Sequence, residues 1–197
     1  MENERLRGNP AGITNTHVAA NIRAARQAIG MDLRTLSDTI GETGRKLSPS
    51  GISKLESGDR RVDVDDLTVI AYILRTTPAA LLTPPDDATT LTGVPEGYLP
   101  EEIDKWMRGE LILTDEGLLQ YWQQEWVGCL NRSRFLEDTL NRMSAENSGA
   151  APATIDAYTR QLVDARARER VVRERGVQVD STGRVFDAVD YLDRFTD

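Results

Sequence analysis

Cysteine and histidine are almost missing from this 197-residue sequence: Cys129 and His17 are the single examples of each. One cysteine excludes an internal disulfide and any CxxC zinc site, and one histidine excludes a histidine-rich metal site. A Ser-His-Asp triad would have to use His17, which falls inside the first predicted helix. The lysines are Lys46, Lys54 and Lys105. A Ser/Lys catalytic pair in the C-terminal half therefore has no lysine beyond 105 to draw on. HExxH and a glycine-rich phosphate loop are absent. No apolar run reaches the roughly 20 residues of a membrane span, and MENERLRGNP lacks the apolar centre of a signal peptide. The expectation is a cytoplasmic protein without cofactor, metal or enzymatic activity.

Positive charge is also in deficit, with 24 Lys and Arg against 32 Asp and Glu, a net charge of −8. A nucleic-acid binder depends on local basic clusters rather than on the whole-chain sum, so distribution decides. Arg45, Lys46, Lys54, Arg60 and Arg61 lie close together, whereas acids gather at 63–66, 86–87 and 187–197. Scattered bases usually only solvate a surface. Bases that bracket one short helix on both sides fit that account less well.

Periodicity predicts a mainly α protein. Residues 1–14 have Gly8, Pro10 and Gly12 but no apolar repeat, and read as a disordered lead. From Asn15, Val18, Ile22, Ala25 and Ile29 recur at helical spacing up to Gly30. Asp32 can cap a second helix carrying Leu33, Leu36 and Ile40, and GETGRKL follows as a loop. Ser48 with Pro49 opens a third helix to Glu56. Asp65 and Asp66 favour the start of a fourth helix with Leu67, Ile70, Ala71 and Leu74 as its stripe. Pro78 starts a fifth, through Leu82. These five short helices make one compact domain over 15–82. Residues 83–97, TPPDDATTLTGVPEG, read as a linker.

The stretch SPSGISKLESGDRR, Ser48 to Arg61, carries the chemistry. Two short helices joined by a turn, the second with small polar exposed residues, form a helix-turn-helix reader. Such a helix presses its N-terminal half against base edges in a major groove, where bulky side chains would hold it away. Ser50, Gly51 and Ser53 permit that approach, and Lys54 can donate to a guanine edge or a phosphate. Ser48 serves first as a cap. Pro49 serves helix initiation, with a thymine methyl as its second use. Arg45, Lys46, Arg60 and Arg61 are placed to neutralise phosphates on either side, which fixes register without reading sequence.

IRAARQAIG, LRTLSDTIG and SGISKLESG together resemble the lambda-repressor-like helix-turn-helix family, often called the XRE family, over residues 15–82, about a third of the chain. The resemblance implies a five-helix DNA-binding domain, transcription regulation and, by the family's usual mode, repression. It implies a structural pair between Arg26, near the end of the first helix, and Glu56 of the LExG motif. RRVDVDDL resembles actinobacterial and actinophage members. Two features depart from the family. Leu33 stands where a phosphate-contacting glutamine is common, leaving Arg34 beside it as the substitute. GETGRKL is longer than the family's tight turn, which offers Arg45 and Lys46 as extra backbone contacts.

Residues 98–197 read as a helical oligomerisation or sensing domain. A helix at Pro100 to Arg108 precedes a long one from Asp115 to about Met143, with Leu119, Trp122, Trp126, Leu130, Leu136, Leu140 and Met143 as its apolar positions. Thr154 to Arg175 carries a seam of Ile155, Tyr158, Leu162, Ala165 and Val172, interrupted by Glu169. VQVDSTGRVF allows a small β-hairpin near 177–186, and DAVDYLDRF a closing helical turn. The expected function is a sequence-specific, double-stranded-DNA-binding regulator of bacterial or phage immunity type, a homodimer through its C-terminal helices. The alternative is an antitoxin-like module whose C-terminal helices bind a protein partner while the same reader autoregulates.

Overall fold

The computed structural model describes residues 10–145 and 149–186. Among them are eight helices and no strand: α1 Ile13–Ala28, α2 Leu33–Glu42, α3 Pro49–Glu56, α4 Val64–Ile73, α5 Pro78–Leu82, α6 Pro100–Met107, α7 Asp115–Ser144 and α8 Pro152–Val179. None is long and apolar enough to cross a membrane. The chain divides into two compact units, residues 1–110 and 111–197.

In the first unit, oxygen-bearing side chains cap α2, α3, α4 and α5, with Asp32 and Ser48 at their expected places. Asp32, Ser48, Asp63 and Thr77 each accept from a backbone N–H of the first turn that has no partner within its own helix. The cap of α4 is Asp63, and Asp65 and Asp66 fall in its first turn, as expected. α1 packs on α3 and α5, α2 on α3 and α4, and α4 on α5. Their shared core is Val18, Ile22, Leu36, Ile40, Leu47, Ile52, Leu55, Ile70, Leu74 and Leu81. Ile29, expected on the α1 stripe, is exposed, because the helix ends at Ala28 and the chain turns away at Gly30.

Residues 83–97 hold no helix, yet they do not run free. His17 Nε2 lies 2.9 Å from the Thr90 carbonyl. Thr14 and Thr92 exchange backbone-to-hydroxyl hydrogen bonds in both directions. Asn21 donates to the carbonyls of Leu81 and Thr83. The segment is thus fastened to α1 by polar contacts that periodicity does not register. Ile13 and Thr14, placed in the N-terminal lead by sequence, belong to α1; residues 1–9 lie outside the described residues.

The second unit is a hairpin of α7 and α8. Leu118, Trp122, Trp126, Leu130 and Leu136 of α7 are buried, with Ala165 and Val172 of α8. The register moves Leu119 off the core face in favour of Leu118. Glu169, which interrupts the α8 seam, accepts from the buried Ser133 hydroxyl at 3.1 Å. The Arg168 guanidinium lies 5.5 Å from the Trp122 ring centroid, a cation–π contact.

The small hairpin allowed near 177–186 does not form. α8 continues through Gly176 to Val179, where the Phe186 ring packs directly against Gly176 and its contact with Trp126 completes the core. Asp180 turns the chain by accepting from Thr182 and from the Val185 backbone N–H. Those bonds, the Thr182 hydroxyl first, lower its carboxyl to about 2. The suggested helical turn at DAVDYLDRF lies outside the described residues.

A methyl group at Gly176 would run into the Phe186 ring, whose residue is 2% exposed. Gly176→Ala gains about 1 kcal/mol of helix propensity. Expelling the ring costs about 2–3 kcal/mol. The expected net result is a lower melting temperature by circular dichroism, restored in part by a smaller residue at 186; an unchanged or higher value would contradict the ring's placement.

Candidate nucleic-acid interface

α3 is eight residues long, and its neighbours hold it at both ends. At its start, the Ser48 hydroxyl accepts from Gly51 N–H at 3.1 Å and sits 3.0 Å from the Ser50 hydroxyl. Pro49 occupies the first turn, where its missing N–H costs nothing. Ser37 of α2 donates to the Leu47 carbonyl at 2.7 Å, tying the α2–α3 connection to α2, and Leu47 itself is core. Ile52 and Leu55 point inward. Ser50, Ser53, Lys54 and Ser57 are left exposed at three- and four-residue spacing, one polar face of the helix. Gly51 is only partly exposed. A Cβ there would meet Leu47 Cδ1 at 3.2 Å and Ser48 Oγ at 3.3 Å, so its small size serves the turn as well as the approach of a groove.

The other end is tied by Glu56. Arg26 of α1 donates from Nε to Glu56 Oε1 at 2.6 Å and from Nη2 to Oε2 at 2.8 Å, a two-pronged pair. Its Nη1 donates to the Met31 carbonyl in the α1–α2 turn at 2.7 Å. The side chains are 11% and 7% exposed. The Glu56 hydrogen bond is the main cause of the raised Arg26 value. One guanidinium thus joins three elements.

The bases flanking α3 divide into two sets. Arg45 spends its whole fork on carboxylates at the start of α4: Nε to Asp66 at 2.9 Å, Nη1 to Asp65 at 3.0 Å and Nη2 to the capping Asp63 at 3.1 Å. Arg60, on the far side of α3, donates to the other Asp66 oxygen at 3.2 Å. Asp66 is 4% exposed, so this buried carboxylate links the segment before α3 to the segment after it. Its hydrogen bond is the first cause of the raised Arg45 value. Arg45 and Arg60, expected at phosphates, are therefore placed on carboxylates. The physical reason is local: three aspartates converge at the start of α4, within reach of both guanidiniums. Lys46, Lys54, Arg61 and, on α2, Arg34 are exposed and form no ion pair among the described residues.

Sequence reasoning did not assign Asp63, Asp65 and Asp66 to the arginines. The available signal was the acidic run 63–66 directly after Arg60-Arg61, which helix-dipole reasoning explained too readily. Asn15 was also overlooked. Its Oδ1 accepts from Val62 N–H at 3.0 Å and so fastens the chain after Arg61 to α1.

A helix-turn-helix family model matches residues 22–81, which spans the end of α1, all of α2, α3 and α4, and most of α5. No curated protein and no solved structure matches the chain. The family match supports a DNA-binding transcription regulator, on a fold not typical of enzymes.

Removing Glu56 leaves the Arg26 guanidinium nearly buried without its partner. Breaking one side of such a pair costs about 3–5 kcal/mol. In a domain of this size, each kcal/mol moves the midpoint by about 4–8 °C. Glu56→Ala is expected to lower the melting temperature of the first unit by well over 10 °C on that scale; a melting curve equal to wild type would show that the pair contributes nothing.

Proposed function

We propose that the chain is a sequence-specific regulator of transcription that binds double-stranded DNA by laying α3 in the major groove. The observation that carries this reading is the exposed face of Ser50, Ser53 and Lys54 on a helix capped at one end and pinned at the other. Short side chains let the helix backbone approach base edges, and Lys54 is the single long donor on that face. Ser48 and Pro49 lie at the entering tip. With Pro49 lacking an N–H and Gly51 N–H taken by Ser48, the Ser50 amide is the first-turn donor directed at the phosphate backbone. Lys46, Arg61 and Arg34 supply phosphate contacts that position without specifying. Arg45 and Arg60 reach a phosphate only by exchanging an aspartate for it.

Repression is the mode of action proposed, in a bacterial or phage immunity setting, on the strength of the family resemblance and of the likeness of RRVDVDDL to actinobacterial and actinophage regulators. A homodimer through the C-terminal helices suits a reader whose single helix sees only a few base pairs, since two half-sites raise both affinity and specificity. The competing antitoxin-like reading requires a C-terminal half that becomes ordered on a protein partner. The α7–α8 core, with Trp122 wholly buried, favours a half that folds by itself.

Selection from random duplex DNA with the full-length protein tests the reading: an enriched inverted repeat is expected, and absence of enrichment at low salt would overturn it. On the selected site, Lys54→Ala is expected to lose about 1–3 kcal/mol and to change base preference. Arg61→Ala is expected to weaken all sequences alike and to lower the salt slope by about one. Equal losses on selected and random DNA for both variants would remove Lys54 from base reading.

A further inference from the structure

α8 turns Ala165, Val172 and Gly176 toward α7. Its opposite face is exposed and carries Val163, Ala167 and Val171 together with Arg160, Asp164, Arg170 and Glu174. At about 100° per residue, all seven fall within about 60° either side of Ala167. None of the four charged side chains has an ion pair or hydrogen bond among the described residues, although each stands one turn from an opposite charge on its own helix. By contrast, Arg166 and Arg168, which flank the face, are engaged by Glu137 and Glu125 of α7 at 2.6 and 2.9 Å.

The order of residues on this face is self-complementary. In an antiparallel pair of identical helices with the two-fold axis at Ala167, positions equally far before and after that residue meet. Val163, four before, meets Val171, four after. Asp164, three before, meets Arg170, three after. Arg160, seven before, meets Glu174, seven after. Farther out, Asp156 meets the neutral Gln178. Every charged pair on the seam is of opposite sign, and the smallest apolar residue sits where the helices cross. A parallel, in-register pair would instead set Arg160 on Arg160 and Glu174 on Glu174, so charge also selects the direction.

We infer that α8 is the dimer interface and pairs antiparallel with α8 of a second copy about Ala167. The inference rests on the homodimer proposed above and specifies its seam. Because the contact is isologous, each charge pair occurs twice, and one substitution removes two pairs from the dimer.

Sedimentation velocity of the full-length protein across a concentration series tests it, with far-ultraviolet circular dichroism confirming helix content. Wild type is expected to dimerise. Glu174→Arg places Arg against Arg160 twice and is expected to raise the dissociation constant about tenfold or more. The double variant Arg160→Glu with Glu174→Arg restores opposite signs and is expected to return the constant to near the wild-type value. The independent swap of Asp164→Arg with Arg170→Asp is expected to repeat the pattern of single loss and paired rescue. A wild-type chain that stays monomeric would overturn the dimer and the seam together. A dimer indifferent to Glu174→Arg would overturn the seam alone, and a double variant as weak as the single would overturn the register.

Discussion

An eight-residue helix does not persist by itself in water, since nucleation consumes more order than so few hydrogen bonds return. The function proposed for this chain rests on such a helix, and the first unit is organised around holding it. Arg26 grips the last residue of α3 through both Glu56 oxygens, Ser48 caps the first turn, and Ile52 and Leu55 anchor the underside in the core. Asp66 adds a strap across both flanks through Arg45 and Arg60. With the ends and one face committed, only the outward face is free to meet a ligand. The polar bonds fix orientation, which apolar packing alone leaves loosely specified, because a hydrophobic contact has no direction.

The same contacts shape the electrostatics. Three aspartates against two arginines leave the strap with excess negative charge beside the face proposed to meet DNA. In the proposed reading, attraction to phosphate falls to Lys46, Lys54, Arg61 and Arg34. With four cations around α3, a chain of net charge −8 gains little non-specific affinity in this reading, because that affinity grows with the number of phosphates neutralised. Discrimination then depends more heavily on base edges. The α4 carboxylates also compete with phosphate for Arg45, whose neighbours Asp63 and Asp65 are largely exposed and can be replaced at little desolvation cost.

How far the sequence disclosed this depends on the range of each interaction. Caps act within a turn, so Asp32, Ser48 and Pro78 located helix starts correctly, and α3 and α5 carry the expected bounds. The face of α3 was legible because Ile52 and Leu55 are the only large apolar residues in it. Polar contacts between distant segments left no periodic trace. The Thr14–Thr92 exchange, the Asn21 bonds and the pairing of Arg45 with residues some 20 positions away all escaped for that reason. VQVDSTGRVF misled for a different cause. Its alternation of valines suits a strand, but Phe186 folds back onto Gly176 and keeps the first part helical.

The second unit shows what a two-helix hairpin leaves over. Each helix can turn only one face to the other, and α7 and α8 use theirs on the tryptophans, Ala165 and Val172, with Ser133 and Glu169 satisfying one another inside the seam. The remaining face of α8 has no neighbour among the described residues to set its sequence by packing. A face that merely solvates the helix is ordered no further than opposite charges one turn apart. The arrangement on either side of Ala167 is narrower than that: reversing the helix exchanges Asp164 with Arg170, Arg160 with Glu174 and Val163 with Val171. Complementarity under reversal is of no use to a single helix, and it becomes an energy only when a second copy lies antiparallel against the first.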